Sequence, residues 1–497
     1  MKHDMLGCAA SVVVSISTMA QPVPEQAQAP AAPVAQAPAL FTRLEGAQPF
    51  VPRPWMTPTG VMRLDEGVLL RAREGHEFTI EPEPGRVLTC RIERVTGSHE
   101  RRRIIAGSLA EAEDGHFAVS YFDDAIALSL RAPSLGVAYG LRFMGNGIYT
   151  IYRFNDADLP PCEGSPTPPP EPPLERAEDD DDYLPPAPPG YDDRYGGGCG
   201  GGTPMLDMMV VYTPAARDEA GGTSAIRAVA ALAIDQTSTS YINSDCPARA
   251  RLVSCTEVSY TEVNNDTDLD RLTNTSDGWI DGVHTTRDNV NADMVMLYTT
   301  VGSGLAWCGG GANSAFGTLD WTRATSDFTH AHESGHNTGC GHDSGNIDCD
   351  PTPPYGRGWR FNGTNGTQYR TVMAYPPGSV IMYYSNPAVS FQGTATGVAN
   401  AADNHLAINN RDNSMENYEL TRWDIYVEIG AAPIVEIGTY AFPYNTLAEG
   451  IAAIQIPGTG TVESPNLYLR NSTTVNPTIT KAMTIIPCGG AVTIGSP

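Results

Sequence analysis

Three histidines and a glutamate stand close together in His332-Glu333-Ser334-Gly335-His336-Asn337-Thr338-Gly339-Cys340-Gly341-His342-Asp343. His332 and His336 are four residues apart, so on a helix they share one face, about 6 Å apart along the axis. Two neutral imidazoles so placed can grip one Zn²⁺. Glu333, beside the first of them, can reach a metal-bound water as general base. Gly339 lets the chain leave the helix with positive φ. The chain then turns back and brings in His342 as a third ligand. Three protein ligands leave a fourth position open, as a catalytic zinc site requires. The competing reading, a polar helix end with solvated histidines, does not account for Gly339 and His342 at this spacing.

Such a helix needs a core to hold it. Residues 206–212 read as a first buried strand, 250–253 as a second and 293–298 as a third. Between them, 224–237 reads as an amphipathic helix with Ile226, Val229, Ala230, Ala233 and Ile234 on one face. A further helix is expected over 402–418. Strands alternating with helices make 204–420 a mixed α/β domain. Ahead of it, 41–154 carries short apolar runs between turn residues, and Gly147-Ile148-Tyr149-Thr150-Ile151-Tyr152 alternates like a half-buried strand. This predicts a mainly β domain, whose place ahead of the histidine motif points to a propeptide.

Residues 155–203 read as a linker. Pro168-Pro169-Pro170 and Pro185-Pro186 favour extended chain, and Glu178-Asp179-Asp180-Asp181-Asp182 is a solvated charge run. Such a segment is open to cleavage. Residues 21–40 are an Ala/Pro/Gln lead without periodicity. The region 425–497 holds short strands after a short helical stretch. It resembles the opening of a right-handed parallel β-helix, with a small β-rich appendage as the plainer reading.

The chain has 497 residues, enough for several domains. Its net charge of −26 argues against nucleic acid or an anionic membrane surface as partner. Lys2, a diluted apolar stretch from Met5 to Met19 and a small-x-small site at Thr18-Met19-Ala20 predict a signal peptide over 1–20, hence a secreted or periplasmic protein. No other apolar run is long enough to insert in a bilayer. Export permits disulfides among the ten cysteines. Cys246/Cys255 and Cys340/Cys349 are close enough in sequence to be local pairs.

The elongated histidine motif, with Thr371-Val372-Met373-Ala374-Tyr375 downstream as a methionine turn, resembles the metzincin clan of zinc endopeptidases. The His342-Asp343 ending is similar to the reprolysin-like and peptidyl-Asp branches. So are Val211-Tyr212-Thr213-Pro214-Ala215-Ala216-Arg217, the stretch from Cys308 to Phe316, and Ser385-Asn386-Pro387. The resemblance covers about 204–420. It implies a protein or peptide substrate, Zn²⁺ held by His332, His336 and His342, and Met373 as an apolar floor. It leaves room for Ca²⁺ without assigning ligands. Tyr375 has two readings, an oxyanion or zinc partner or a core tyrosine. Asp343 is expected to anchor the motif turn. Ser334 is smaller than the residue usual there. His330 faces away from the zinc side, and Cys340 reads as a disulfide cysteine.

Pro160-Pro161-Cys162-Glu163-Gly164 resembles the cysteine switches of related enzymes, in which a thiolate fills the open zinc position. Cys199 is a second candidate, and a disulfide or idle thiol is the plainer use of either. A substrate strand is expected along 304–307, by addition to a sheet edge. The reading is thus a secreted zinc endopeptidase made as a zymogen. Its rivals are a secreted binding or adhesion protein with a structural zinc, and a polysaccharide-active enzyme built on the tail.

Overall fold

The structure is a computed structural model. It describes residues 37–50, 53–156, 158–169, 199, 203–346, 349, 351, 353–419, 423–431, 436, 438, 440, 443–456, 458–461, 463–470, 473–475, 478–488 and 492–494. The expected signal peptide, most of the lead and most of the linker lie outside the described residues.

The N-terminal region is mainly β, as its alternating pattern predicts, with one short helix at Glu66–Leu70; in Glu77–Glu83 every second residue is buried. Its strands are β1 (Phe41–Arg43), β2 (Met56–Leu64), β3 (Glu77–Glu83), β4 (Arg86–His99), β5 (Arg102–Leu109), β6 (Ala112–Phe122), β7 (Ala125–Ala132), β8 (Val137–Gly145) and β9 (Ile148–Phe154). They form one antiparallel sheet in the order β1-β2-β9-β8-β7-β6-β5-β4-β3. Leu40 N donates to Thr79 O, and Thr79 N to Pro38 O, both at 2.8 Å. The chain entering β1 thereby meets β3, and the sheet closes on itself, which removes its open edges.

The following domain is built on β10 (Met205–Tyr212), β11 (Arg249–Glu257), β12 (Met294–Thr299), β13 (Gly304–Ala306) and β14 (Phe316–Asp320). Their order is β11-β10-β12-β14-β13. The pairings are parallel except for β13, which runs antiparallel to β14 at the edge. The long helix Thr223–Asn243 packs on β11 on one side and on β6 and β7 on the other. It is therefore buried nearly all round, where the sequence predicts a single apolar face. A helix sandwiched between two layers has no solvent side. Phe117 and Leu128 of the closed sheet, Ile226 and Leu232 of this helix, and Met373 near the histidines share one continuous core. Arg94 bridges to Asp235 on the same helix at 2.7 and 2.8 Å.

The helix expected over 402–418 is broken into Asn404–Asn409 and Asp412–Met415. The break falls at Asn409-Asn410-Arg411, where two weak helix formers meet and Arg411 turns out to bond Gly310 O and Tyr418 Oη. The C-terminal region pairs Asp424–Glu428, Asn466–Arg470 and Thr484–Cys488 in parallel, and Thr473–Val475 with Val492–Ile494 likewise. Disulfides join Cys199 to Cys488 and Cys308 to Cys349. Cys90, Cys162, Cys246, Cys255 and Cys340 are free thiols. Both local pairings expected from spacing are therefore incorrect, and so is a switch role for Cys199. Folding brings together partners 289 and 41 residues apart, which spacing cannot reveal.

Candidate active site

His332, Glu333 and His336 lie on the helix Thr329–Asn337. Asn337 Nδ2 ties its end to the carbonyls of Trp307 and Phe316 at 3.0 and 3.2 Å. Gly339 then takes φ +87°, as the turn to the third histidine requires. The three Nε2 atoms converge: His332 to His342 2.9 Å, His336 to His342 3.0 Å, His336 to His332 3.2 Å. His332 Nδ1 faces Val372 O at 2.8 Å and His336 Nδ1 faces Cys340 O at 2.9 Å. Those carbonyls only accept, so each Nδ1 carries the proton and each Nε2 presents a lone pair. Buried lone pairs aimed at one another repel unless a cation lies among them. The donor set therefore fits a divalent metal, and three imidazoles suit zinc. Burial, with His332 beside it, holds His342 neutral by pulling its pKa to about 2.

The metal-holding groups found among the described residues are made of His, Cys and Glu. None is the oxygen cage that calcium takes, so the Ca²⁺ expectation finds no support.

Beneath the histidines, Met373 is fully buried, and a Cβ on Gly335 would lie 2.4 Å from its Sδ. Only glycine lets the ligand helix settle on this floor. Asp343 is buried and binds the turn together. Its Oδ2 accepts from Tyr375 N at 3.0 Å, and its Oδ1 meets Arg360 Nη2 at 2.6 Å. Ser334 does not loosen the helix; its hydroxyl donates back to His330 O at 2.8 Å. His330 pairs with Tyr298 Oη at 2.9 Å, away from the triangle, and burial lowers its pKa to about 3. Cys340 is a buried thiol near Asn404 O, not a disulfide cysteine.

The carboxyl of Glu333 is fully buried, and burial, then the neighbouring Cys162, pushes its pKa well above the usual range. Gly304 on β13 makes room for it. A Cβ there would fall 2.2 Å from Glu333 Oε1. Sequence reasoning placed Gly304 on the edge strand but missed this role, which nothing in the local pattern signals.

Cys162 is half-buried as a residue, yet its Sγ lies within 4.8 Å of a His332 ring nitrogen and a Glu333 oxygen. Burial raises its pKa, with Arg323 pulling it back. The segment around it crosses the face of the triangle. Arg323 Nη1 donates to Pro160 O at 2.8 Å, and Tyr375 Oη to Cys162 O at 3.1 Å. Glu163 N donates to Gly304 O at 3.0 Å, Ser165 Oγ to Ala306 O at 2.8 Å, and Cys308 N to Pro166 O at 3.0 Å. Both chains advance together, so the segment runs parallel to β13. The ring of Tyr375 lies 4.2 Å from that of His342. A cavity of about 900 Å³ between the closed sheet and residues 376–379 holds none of the histidines.

Residues 203–388 match the reprolysin-type model of metallo-peptidase family M12. This stretch is similar to the metallo-peptidases of family M12, the likeness that the histidine motif suggests. The chain is 37% identical over 216 residues to a peptidyl-Asp metalloendopeptidase of Stenotrophomonas maltophilia (strain R551-3), covering 41% of this chain and 50% of that protein. A protein of the same name from Xanthomonas campestris pv. campestris is 34% identical over 210 residues, 41% of this chain and 49% of its own. The chain thus spans about half the length of the curated relatives it matches. A solved structure titled "Structure of a chaperone-substrate complex" overlays with a TM-score of 0.36 at 20% identity, covering 44% of this chain and 36% of that one. That likeness is too weak to bear on fold or function.

Proposed function

We propose that the chain is a secreted, zinc-dependent endopeptidase made in latent form. The observation that carries this is the convergence of three Nε2 lone pairs beside the buried Glu333 and the edge strand β13. His332, His336 and His342 would hold the ion, which when bound polarises a carbonyl and acidifies water. Glu333 takes the proton from the attacking water and passes it to the leaving amine. Tyr375 Oη, now donating to Cys162 O, is placed to donate to a developing oxyanion instead. A substrate adds to β13 by main-chain hydrogen bonds. The relatives' name points to bonds beside aspartate as the substrate.

Latency rests on residues 159–166. They hold the edge strand that a substrate needs and set a thiol on the open side of the histidines. Their parallel course presents a peptide backbone in the opposite sense to an antiparallel substrate. On this reading 41–154 is a propeptide. The parallel C-terminal strands are the opening rungs of a β-helix. A binding protein with structural zinc has no use for Glu333 at the open side.

The test is casein cleavage by purified protein, before and after its linker is cut, with and without chelator, beside Glu333→Gln and Cys162→Ala. Chelator and Glu333→Gln are expected to abolish cleavage, and Cys162→Ala to release it in the uncut chain. Bound zinc with no cleavage in any cut form refutes the enzyme reading. Unchanged latency in Cys162→Ala refutes the switch.

A further inference from the structure

Beside the histidine triangle, under residues 159–162, lies a cavity of about 20 Å³, room for about one water. Its lining includes Arg323, Asp327 and Arg370, with His332 and Tyr375 at the side nearest the metal ligands. Two buried guanidinium groups face one buried carboxylate here. Arg323 and Asp327 pair at 2.6 Å, and Thr329 Oγ1 donates to Asp327 Oδ1 at 2.9 Å. That pair is balanced. Arg370 is not. It donates to the carbonyls of Ala374 at 2.8 Å and Gly378 at 3.1 Å, and among the described residues no carboxylate lies within ion-pair distance of it.

Burial pulls the Arg370 guanidinium below its ordinary value, and Asp156 and Asp327 offset part of this at longer range. Asp156 is itself paired to Arg131 at 2.7 Å, and both precede the segment that fills the cleft. When that part of the chain leaves, the two charges leave together. The peptidase domain keeps two cations and one anion, a net charge of plus one in the site. A buried cation of this kind is costly without a counter-charge.

One donor of the site is already in use in a telling way. Arg323 Nη1, besides its neighbours' bonds to Asp327, donates to Pro160 O of the segment that fills the cleft. Departure of that segment frees this donor and uncovers the pocket at once. Resting on the peptidase reading above, we infer that this pocket is the specificity site for an acidic substrate side chain. Arg370 supplies its charge and Arg323 Nη1 a second donor. A carboxylate there has the fork geometry of guanidinium partners to meet. Neither residue takes part in the bond-breaking step; they choose which bond is presented.

The test uses the full chain cut in its 155–203 linker and peptide pairs that differ only in Asp or Asn, with a Leu peptide and casein as references. The reading is the Asp-to-Asn ratio of kcat/KM within one preparation, from which any unfolded fraction cancels. Wild type is expected to favour Asp by about 100-fold, since a site built for a carboxylate rejects an analogue that leaves its donors unpaired. Arg370→Gln is expected to bring the ratio within about 3-fold of unity, and Arg370→Lys to keep an intermediate ratio. Should Arg370→Gln prove inert, Arg323→Gln decides, because it leaves Asp327 facing the substrate carboxylate and must also lower the ratio. A wild-type ratio near unity overturns the inference with the peptidase intact. So does a ratio unchanged in whichever of the two Gln variants remains active. Failure of wild type to cut any peptide or casein instead overturns the peptidase reading itself.

Discussion

The two ends of the cleft are built differently. Under residues 159–162 the space is about 20 Å³ and lined by paired and unpaired charge. Beyond Thr167 and Pro169, past Trp307 and Phe316, it widens to about 750 Å³. The broad end has aromatic faces and scattered polar groups but only Arg287, Asp270 and His284 as ionisable lining. Arg287 there is spent on the carbonyls of Ala292, Asp293 and Ala312. A tight charged pocket can tell one side chain from another; a wide one accepts many. The charged pocket touches His332, and the broad one touches none of the three converging histidines.

The sharpest way to separate chemistry from selection is Gly304→Ala. Its methyl would fall on Glu333 Oε1. Loss of a positioned general base is expected to lower kcat by about 10³-fold for every peptide alike, with zinc content unchanged. A loss confined to acidic peptides would place the base elsewhere. Tyr375→Phe removes one donor and is expected to cost about 10²-fold in kcat with little change in KM; an unaltered kcat would return Tyr375 to a core role.

A peptide library tests the comparison directly. Varying the residue at the charged pocket is expected to move kcat/KM by about 100-fold, and at the broad end by less than about 10-fold. Equal spreads at both ends would erase the distinction. The smallest effect concerns the floor below both. Gly335→Ala sets a methyl 2.4 Å from Met373 Sδ. Overpacking costs about 1–3 kcal/mol, of which helix propensity returns about 1. Thermal unfolding should register a modest loss with the Asp-to-Asn ratio untouched.

How much of this was legible in sequence follows from distance along the chain. The histidines, Glu333 and Gly339 fall within eleven residues, so helical spacing together with one glycine turn predicts their convergence. Met373 and Cys162 were legible as residue types in suggestive places, but only folding sets the floor against Gly335 and the thiol against His332. Arg323, Asp327 and Arg370 left no signal. They are spread over two segments and roofed by a third, and each is unremarkable where it stands. The same holds for Gly304, whose partner is a carboxylate twenty-nine residues on. The long helix misled for a related reason. Its second apolar side faces the N-terminal sheet, a layer that its own periodicity cannot report.

The charged pocket has a temporal consequence. The linker ahead of the peptidase domain contains Glu178-Asp179-Asp180-Asp181-Asp182, the kind of side chains that Arg370 is set to receive. That pocket lies under the chain's own residues 159–162, so on the proposed reading a latent copy would not have its pocket open to cut itself. A copy already opened meets its preferred bonds in the linker of the next. If the chain is made latent as proposed, maturation would feed on its own product: a lag, a steep rise, and a half-time that shortens as the starting concentration grows or as a trace of active enzyme is added.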